Sequence, residues 1–346
     1  MAQSFTTDSM KSSLIRLRIA AHQHLIARED TQQNPRLSKL ADLRLDLDDP
    51  QVVEQLYRSV LRAADETSSL KQIDVLNIVS DFGNFCKDQG KLEEAKKAYI
   101  QALEGYIQEV GPKNSFTLDT FYNLGNLHSE QDDPTRAEEY YVQCLEGCMT
   151  VFGAKHAMTL SVYNNLGNAY SDKGELKKAR KMYTQALKGK LEVFGLNHTS
   201  TLNTINNTAN LYKLRRKPKK AEEWYAKALK GHEMVSGSKH VSTIDAVYNL
   251  GLLQADQGKI SKAEDLLVRA LAGYTETLGR EHAFTFDTLY NLGNLYIDQG
   301  RRKEAKDIYS QAVAWYRDLG GDRSDDVCYI QKQLLLLAGD GGIIDM

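Results

Sequence analysis

The sequence predicts an all-α solenoid, a stack of antiparallel helix pairs closed at its ends by capping helices. Three observations carry that expectation. Gly125, Gly167, Gly251 and Gly293 lie at multiples of 42 residues, and one step back from Gly125 falls on Gly83. Two other series keep the same step: Ala95, Ala137, Ala179, Ala221, Ala263 and Ala305, and Tyr99, Tyr141, Tyr183, Tyr225, Leu267 and Tyr309. The chain is also rich in Ala, Leu, Lys and Glu, with only five prolines in 346 residues. A strict period of this size marks units that cannot bury their own apolar face and must stack on their neighbours.

Each period reads as two helices. From Phe116, the first carries Leu118, Phe121, Leu124, Gly125 and His128 on one stripe, a helical spacing. "DDP" at 132–134 stops it, and Pro134 suits the first turn of the next helix. The second helix carries Ala137, Tyr141, Cys144, Leu145 and Cys148. Gly153 then stands where a left-handed helix stop is needed. Gly125 and Ala137 have almost no side chain, so the helices can approach closely there.

The register runs beyond the clearest copies. Val53, Tyr57, Leu40 and Ala41 fall one step before Ala95, Tyr99, Phe82 and Gly83, which predicts a degenerate repeat over roughly 34–75. The expected organisation is an N-terminal segment 1–33 with an amphipathic capping helix at 11–29, seven repeats over 34–324, and a C-terminal capping helix and tail at 325–346. A solenoid needs such caps to cover its terminal apolar faces.

The "NLG" string at Gly125, the aromatic slot at Tyr170, Tyr212 and Tyr296, the Ala and Tyr series, and the ends at His156, His198, His240 and His282 together resemble the tetratricopeptide repeat. The likeness is to its 42-residue, kinesin-light-chain-like form, and covers about four fifths of the chain. It implies a right-handed superhelix whose first helices line a concave groove, and a role in protein–protein interaction. The fold serves many partners, so it does not name one.

On each first helix the face opposite the packing stripe is spaced i, i+4, i+7, i+11, within about 40° of one direction. Those positions hold Asp119, Asn123 and Asn126, then Asn165, Asn168 and Asp172, then Asn207 and Asn210. Asp245, Asn249 and Asp256 follow, and then Asp287, Asn291, Asn294 and Asp298, while the first clear repeat contributes Asn84. Tyr122, Tyr248 and Tyr290 stand beside them. An Asn amide both donates and accepts, so a ladder of them can pair with an extended peptide backbone without reading its side chains. The same asparagines can instead bond across helices and set repeat geometry. Carboxylates dominate the flanks, which disfavours a carboxylate ligand and favours a neutral or basic segment.

Composition narrows the classes. The formal net charge is −2 with 26% charged residues, so no basic footprint covers the surface. No apolar run reaches membrane-spanning length. The N-terminus lacks the apolar core of a secretory signal, and the four cysteines do not form a disulfide framework; the expected location is the cytoplasm. The loop histidines follow the repeat, with Asn114 in the same slot, and read as loop or cap residues. His128 replaces an aromatic of the packing stripe. No phosphate-loop, dinucleotide or metalloprotease string occurs, so no metal, cofactor or catalytic residue is expected. One outlier is "KLRRKPKK" at 213–220, where other repeats read "DQGK"; Arg215, Arg216 and Lys217 there form a candidate patch for an acidic partner.

The reading that results is a protein-interaction scaffold, not an enzyme, whose groove binds an extended neutral or basic segment of another protein, with no nucleic acid or membrane. The alternative is a small-molecule binder or enzyme using a groove pocket near His128, Tyr122, Tyr248 and Tyr290. Self-association through the ends is a third.

Overall fold

The computed structural model of the protein describes residues 50–66, 71–317 and 324–339, and every regular element among them is an α-helix. The expected cap at 11–29, the first helix of the degenerate repeat at 34–49 and the tail at 340–346 lie outside the described residues. The chain divides into two compact units, Met1–Glu175 and Leu176–Met346. The first contains α1 (Pro50–Glu66), α2 (Gln72–Asp88), α3 (Leu92–Val110), α4 (Ser115–Glu130), α5 (Pro134–Val151) and α6 (Ala157–Asp172). The second contains α7 (Leu176–Val193), α8 (Thr199–Leu214), α9 (Pro218–Ser236), α10 (Val241–Asp256), α11 (Ile260–Thr277), α12 (Ala283–Asp298), α13 (Arg302–Arg317) and α14 (Ser324–Gly339).

Within each unit every helix packs on the next in sequence, as antiparallel pairs joined by short turns require. The first helices of consecutive pairs also touch: α4 meets α6, α8 meets α10, and α10 meets α12. Helix ends are written locally. Nδ1 of His156, His198, His240 and His282 accepts from the backbone N–H two residues on, at 3.2–3.3 Å, and Oδ1 of Asn114 does the same at 3.0 Å. These are N-caps, which satisfy an otherwise orphaned helix donor. Pro134 and Pro218 occupy first turns, where a missing N–H is harmless.

The pairs are pressed together where side chains are absent. A Cβ on Gly125 would lie 2.5 Å from the ring of Tyr141, and one on Gly147 would lie 2.2 Å from Leu118. These two contacts fix the crossing of α4 and α5, and the same pairing recurs at Gly293 with Tyr309 and at Gly231 with Leu202. The tyrosines of the 42-residue series are therefore core, with Tyr99, Tyr141, Tyr225 and Tyr309 at most 1% exposed. At the C-terminal end α14 buries Ile330 against Phe286, Leu289 and Tyr309.

Candidate functional site

The asparagines form an internal hydrogen-bonded ladder. In the first unit Tyr99 Oη donates to Asn84 Oδ1 at 2.7 Å, and Tyr141 Oη donates to Asn126 Oδ1 at 2.7 Å. In the second unit Tyr225 donates to Asn210, and Tyr309 donates to Asn294 at 2.6 Å. The Asn after the repeat glycine is thus anchored to the second helix of its own pair. The Asn before "LG" reaches back one repeat: Asn123 Nδ2 donates to Asn84 Oδ1 at 3.3 Å, and Asn165 Nδ2 to Asn126 Oδ1 at 2.9 Å and to Tyr122 Oη at 3.0 Å. Asn291 Nδ2 donates to Tyr248 Oη at 2.9 Å. Asn168 and Asn207 are also engaged by other groups, whereas Asn249 is half-buried.

These bonds explain why Asn recurs where packing alone asks for no amide. A buried tyrosine hydroxyl needs an acceptor, and the neighbouring repeat needs a link. The carbonyls of Asn84, Asn126, Asn210 and Asn294 are consumed inside the protein. The Nδ2 groups of Asn84, Asn210 and Asn294 make no hydrogen bond to another described residue, and all three side chains are half-buried. They are oriented donors on the first-helix faces.

The flanking carboxylates divide into two kinds. Asp119, Asp172 and Asp298 are exposed. Surrounding protein nevertheless raises the carboxyl pKa of Asp119 and Asp172 by desolvation. Asp245 is raised for the same reason and accepts from Tyr274 Oη at 2.6 Å, while Asp256 pairs with Lys213 at 2.9 Å. Asp287 is half-buried and engaged; its backbone carbonyl accepts from Asn291 at 2.7 Å. Tyr290 packs on Tyr329 of α14 at 5.4 Å between ring centres.

His128 is buried at 1% exposure, stacks on Tyr140 at 5.5 Å, and has its pKa lowered chiefly by desolvation. It lies in the core of the first unit. A cleft of about 750 Å³ opens elsewhere, between α7, α8 and α9, and none of His128, Tyr122, Tyr248 or Tyr290 lines it. Arg215, Arg216 and Lys217 close the turn between α8 and α9, and Arg216 sits at φ 54°. No group of three or more metal-ligating side chains gathers among the described residues, and no helix among them is long and apolar enough to cross a membrane.

The tyrosine partners of the ladder escaped the sequence reading, although each stands 15 residues after its Asn at the same 42-residue step.

The tetratricopeptide-repeat family matches the chain at 74–150, 136–192, 158–234, 197–276 and 242–318. No curated protein matches it. Among solved structures, it is similar to BtubC (BKLC) of P. vanneervenii, with 21% identity, a TM-score of 0.54, and coverage of 68% of this chain and 94% of that one. A putative kinesin light chain of Podosopora anserina with nearly identical TPR-like repeats gives 17%, 0.51, and coverage of 60% and 99%. A Rap protein complexed with competence and sporulation factor gives 14%, 0.53, and coverage of 96% and 98%. These likenesses bear on fold. The chain belongs to the tetratricopeptide-repeat family, an all-α solenoid of the kind that serves in protein–protein interaction, and its fold is similar to those of kinesin-light-chain-like repeat proteins.

Proposed function

We propose that the protein holds an extended segment of another protein along the Asn-lined faces of its first helices, within a run of seven repeats between capping helices. The observation that carries this reading is the state of the asparagines. Tyrosine bonds fix the amide planes of Asn84, Asn210 and Asn294, and their N–H groups bond no other described residue. A fixed donor can meet the backbone carbonyls of an extended chain with little ordering of its own. The exposed carboxylates of Asp119, Asp172 and Asp298 favour a neutral or basic segment and repel a free carboxylate. A similar fold is known holding a partner in the Rap protein complexed with competence and sporulation factor.

The test uses Asn→Asp changes, which keep the acceptor for tyrosine and remove the donor. Neutral, basic and acidic peptides are titrated against wild type and Asn84→Asp, Asn210→Asp and Asn294→Asp, with helicity checked by circular dichroism. Neutral peptides are expected to bind wild type and to lose about tenfold in affinity with each lost donor. Unchanged affinity in all three variants, or a preference for acidic peptides, overturns the reading.

A further inference from the structure

The repeat array supplies its own controls, and one junction departs from them in three ways. At three junctions an ion pair in equivalent slots staples consecutive second helices, and at a fourth Lys173, two residues before that slot, supplies the cation. Lys259 reaches Glu222 at 2.8 Å and Arg301 reaches Glu264 at 2.5 Å in the second unit; Lys91 reaches Glu54 at 2.5 Å and Lys173 pairs with Glu138 in the first. One 42-residue step back from Glu222 and Lys259 lie Arg180 and Lys217. The staple there is two cations, and neither is in an ion pair among the described residues.

The cleft of about 750 Å³ opens at this junction, wholly within the second unit. Its opening has a cause in the sequence. Thr208 stands where α4, α6, α10 and α12 carry Leu124, Leu166, Leu250 and Leu292. A threonine is shorter, and its Oγ1 is turned back to donate to Thr204 O at 2.8 Å. Leu187, Leu211, Tyr212 and Trp224 then wall an apolar floor. Trp224 occupies a slot held elsewhere by Tyr140, Met182, Leu266 or Ile308.

Charge is the third departure. Lys177, Arg180, Lys181 and Lys188 line the same cleft. One repeat earlier those four slots read Thr135, Glu138, Glu139 and Glu146. Lys220 and Lys227 add charge above the rings of Tyr212 and Trp224, at 5.7 and 5.8 Å from their centres. The turn beside it keeps Arg216 in a left-handed conformation at φ 54°, which most repeats give to glycine and which a bulky residue rarely adopts without a reason.

We propose that this cleft is a binding site for an organic anion: a carboxylate or phosphate head held by Arg180 and the neighbouring cations, with an aliphatic or aromatic body lying on Leu187, Leu211 and Trp224. The volume falls in the range of about 300–1,000 Å³ usual for such ligands, and the apolar walls with a few convergent charges are the usual chemistry. The anion would occupy the place of the carboxylate that other junctions supply from Glu222 or Glu264. This site is independent of the first-helix face.

The experiment is calorimetric titration of the full chain with decyl phosphate and with 1-naphthyl phosphate, against decanol, 1-naphthol and inorganic phosphate as probes lacking a head or a body, and against heparin as a polyanion. Two variants restore the array's own residues and so favour folding: Thr208→Leu pushes a larger apolar side chain into the cleft floor, and Arg180→Glu recreates the staple with Lys217. Binding of either phosphate ester at about 100 µM or tighter, with at least roughly tenfold loss in both variants, is expected. The decyl ester alone binding identifies a lipid-like body, the naphthyl ester alone an aromatic one. Three results overturn the site: neither ester binds, binding is indifferent to both variants, or only a polyanion such as heparin binds, in the manner of a diffuse basic surface.

Discussion

Two junctions in the second unit are built from the same plan and end differently. Between α9 and α11, Glu222 meets Lys259, and Leu253 fills its slot against Ala209, Ala221 and Tyr225. Between α7 and α9, Arg180 and Lys217 stand in the ion-pair positions, Thr208 has replaced a leucine, and a cleft remains. The backbone is the same helix pair in both. A repeat array can therefore vary one junction without disturbing the next, because each pair contacts only its neighbours. Irregularity that would be noise in an ordinary domain becomes interpretable here, since the expected residue at every slot is known from the other copies.

The largest expected effect sets the two junctions against each other with one substitution. Leu211 and Leu253 occupy the same slot, and each is 1% exposed. Leu253→Ala leaves a closed void and should destabilise by about 2–5 kcal/mol; Leu211→Ala extends a cleft that already exists, so its cost should sit near the low end of that range, about 2 kcal/mol. Denaturant unfolding combined with amide exchange of α8 and α10 reads both. Equal losses at the two positions would show that the cleft has no influence on local packing.

The next effect is a dependence on pH that is largest in the irregular region. One buried slot of the second helix holds Tyr106, Lys190, His232 and Tyr274 in different repeats. Tyr106 and Tyr274 are satisfied by Asn77 and Asp245 at 2.7 and 2.6 Å. Burial instead lowers His232 to about 4, with no hydrogen bond at its Nδ1. As pH falls from 6.5 towards 4 the unfolded chain takes up a proton that the folded one refuses, so up to about 3 kcal/mol of stability is lost across that window. Lys190 is lowered to about 8 by desolvation, although it donates to Thr204 Oγ1 at 2.9 Å. The sign is the same, and stability should rise from pH 8 to 10.5. His232→Tyr should reduce the acid slope to what His128 and His240 contribute, and gain a bond to Asn203, which fills the slot of Asn77. An unchanged acid slope would mean that His232 is not its source.

What the sequence made legible follows from what the period encodes. Periodicity specifies pattern, so the helix pairs, the glycine contacts such as Gly125 on Tyr141, and the loop caps at His156 and His282 could be read directly. The ladder was half legible. Asn126 and Asn165 could be placed on one helix face, but their partners depend on side-chain rotamers and on a helix–helix distance that spacing does not fix. The cleft was least legible, because its volume depends on how three helices and the side chains of Leu187, Leu211, Tyr212 and Trp224 pack, with Thr208 and Arg180 only deepening and charging it. Its available signals were the threonine at 208 where other repeats carry leucine and the run of cations at Lys177, Arg180, Lys181 and Lys188 compared with the same slots in other repeats.

The smallest effect concerns the turn that borders the irregular junction. Gly90, Gly174, Gly258 and Gly300 take φ of 69–72° in the equivalent position, while Asp132 and Arg216 take 56° and 54°. An L-residue there is strained by roughly 1–2 kcal/mol, less for Asp, whose short polar side chain tolerates the left-handed region. Glycine relieves the strain but loses more entropy on folding, about 0.5–1 kcal/mol. Arg216→Gly should thus stabilise by up to about 1 kcal/mol, and Asp132→Gly by less. A rise in thermal midpoint for Arg216→Gly together with weaker binding of decyl phosphate would tie the strained arginine to the anion site. A rise without any change in binding would leave Arg216 outside it and confine the site to the cations that line the cleft.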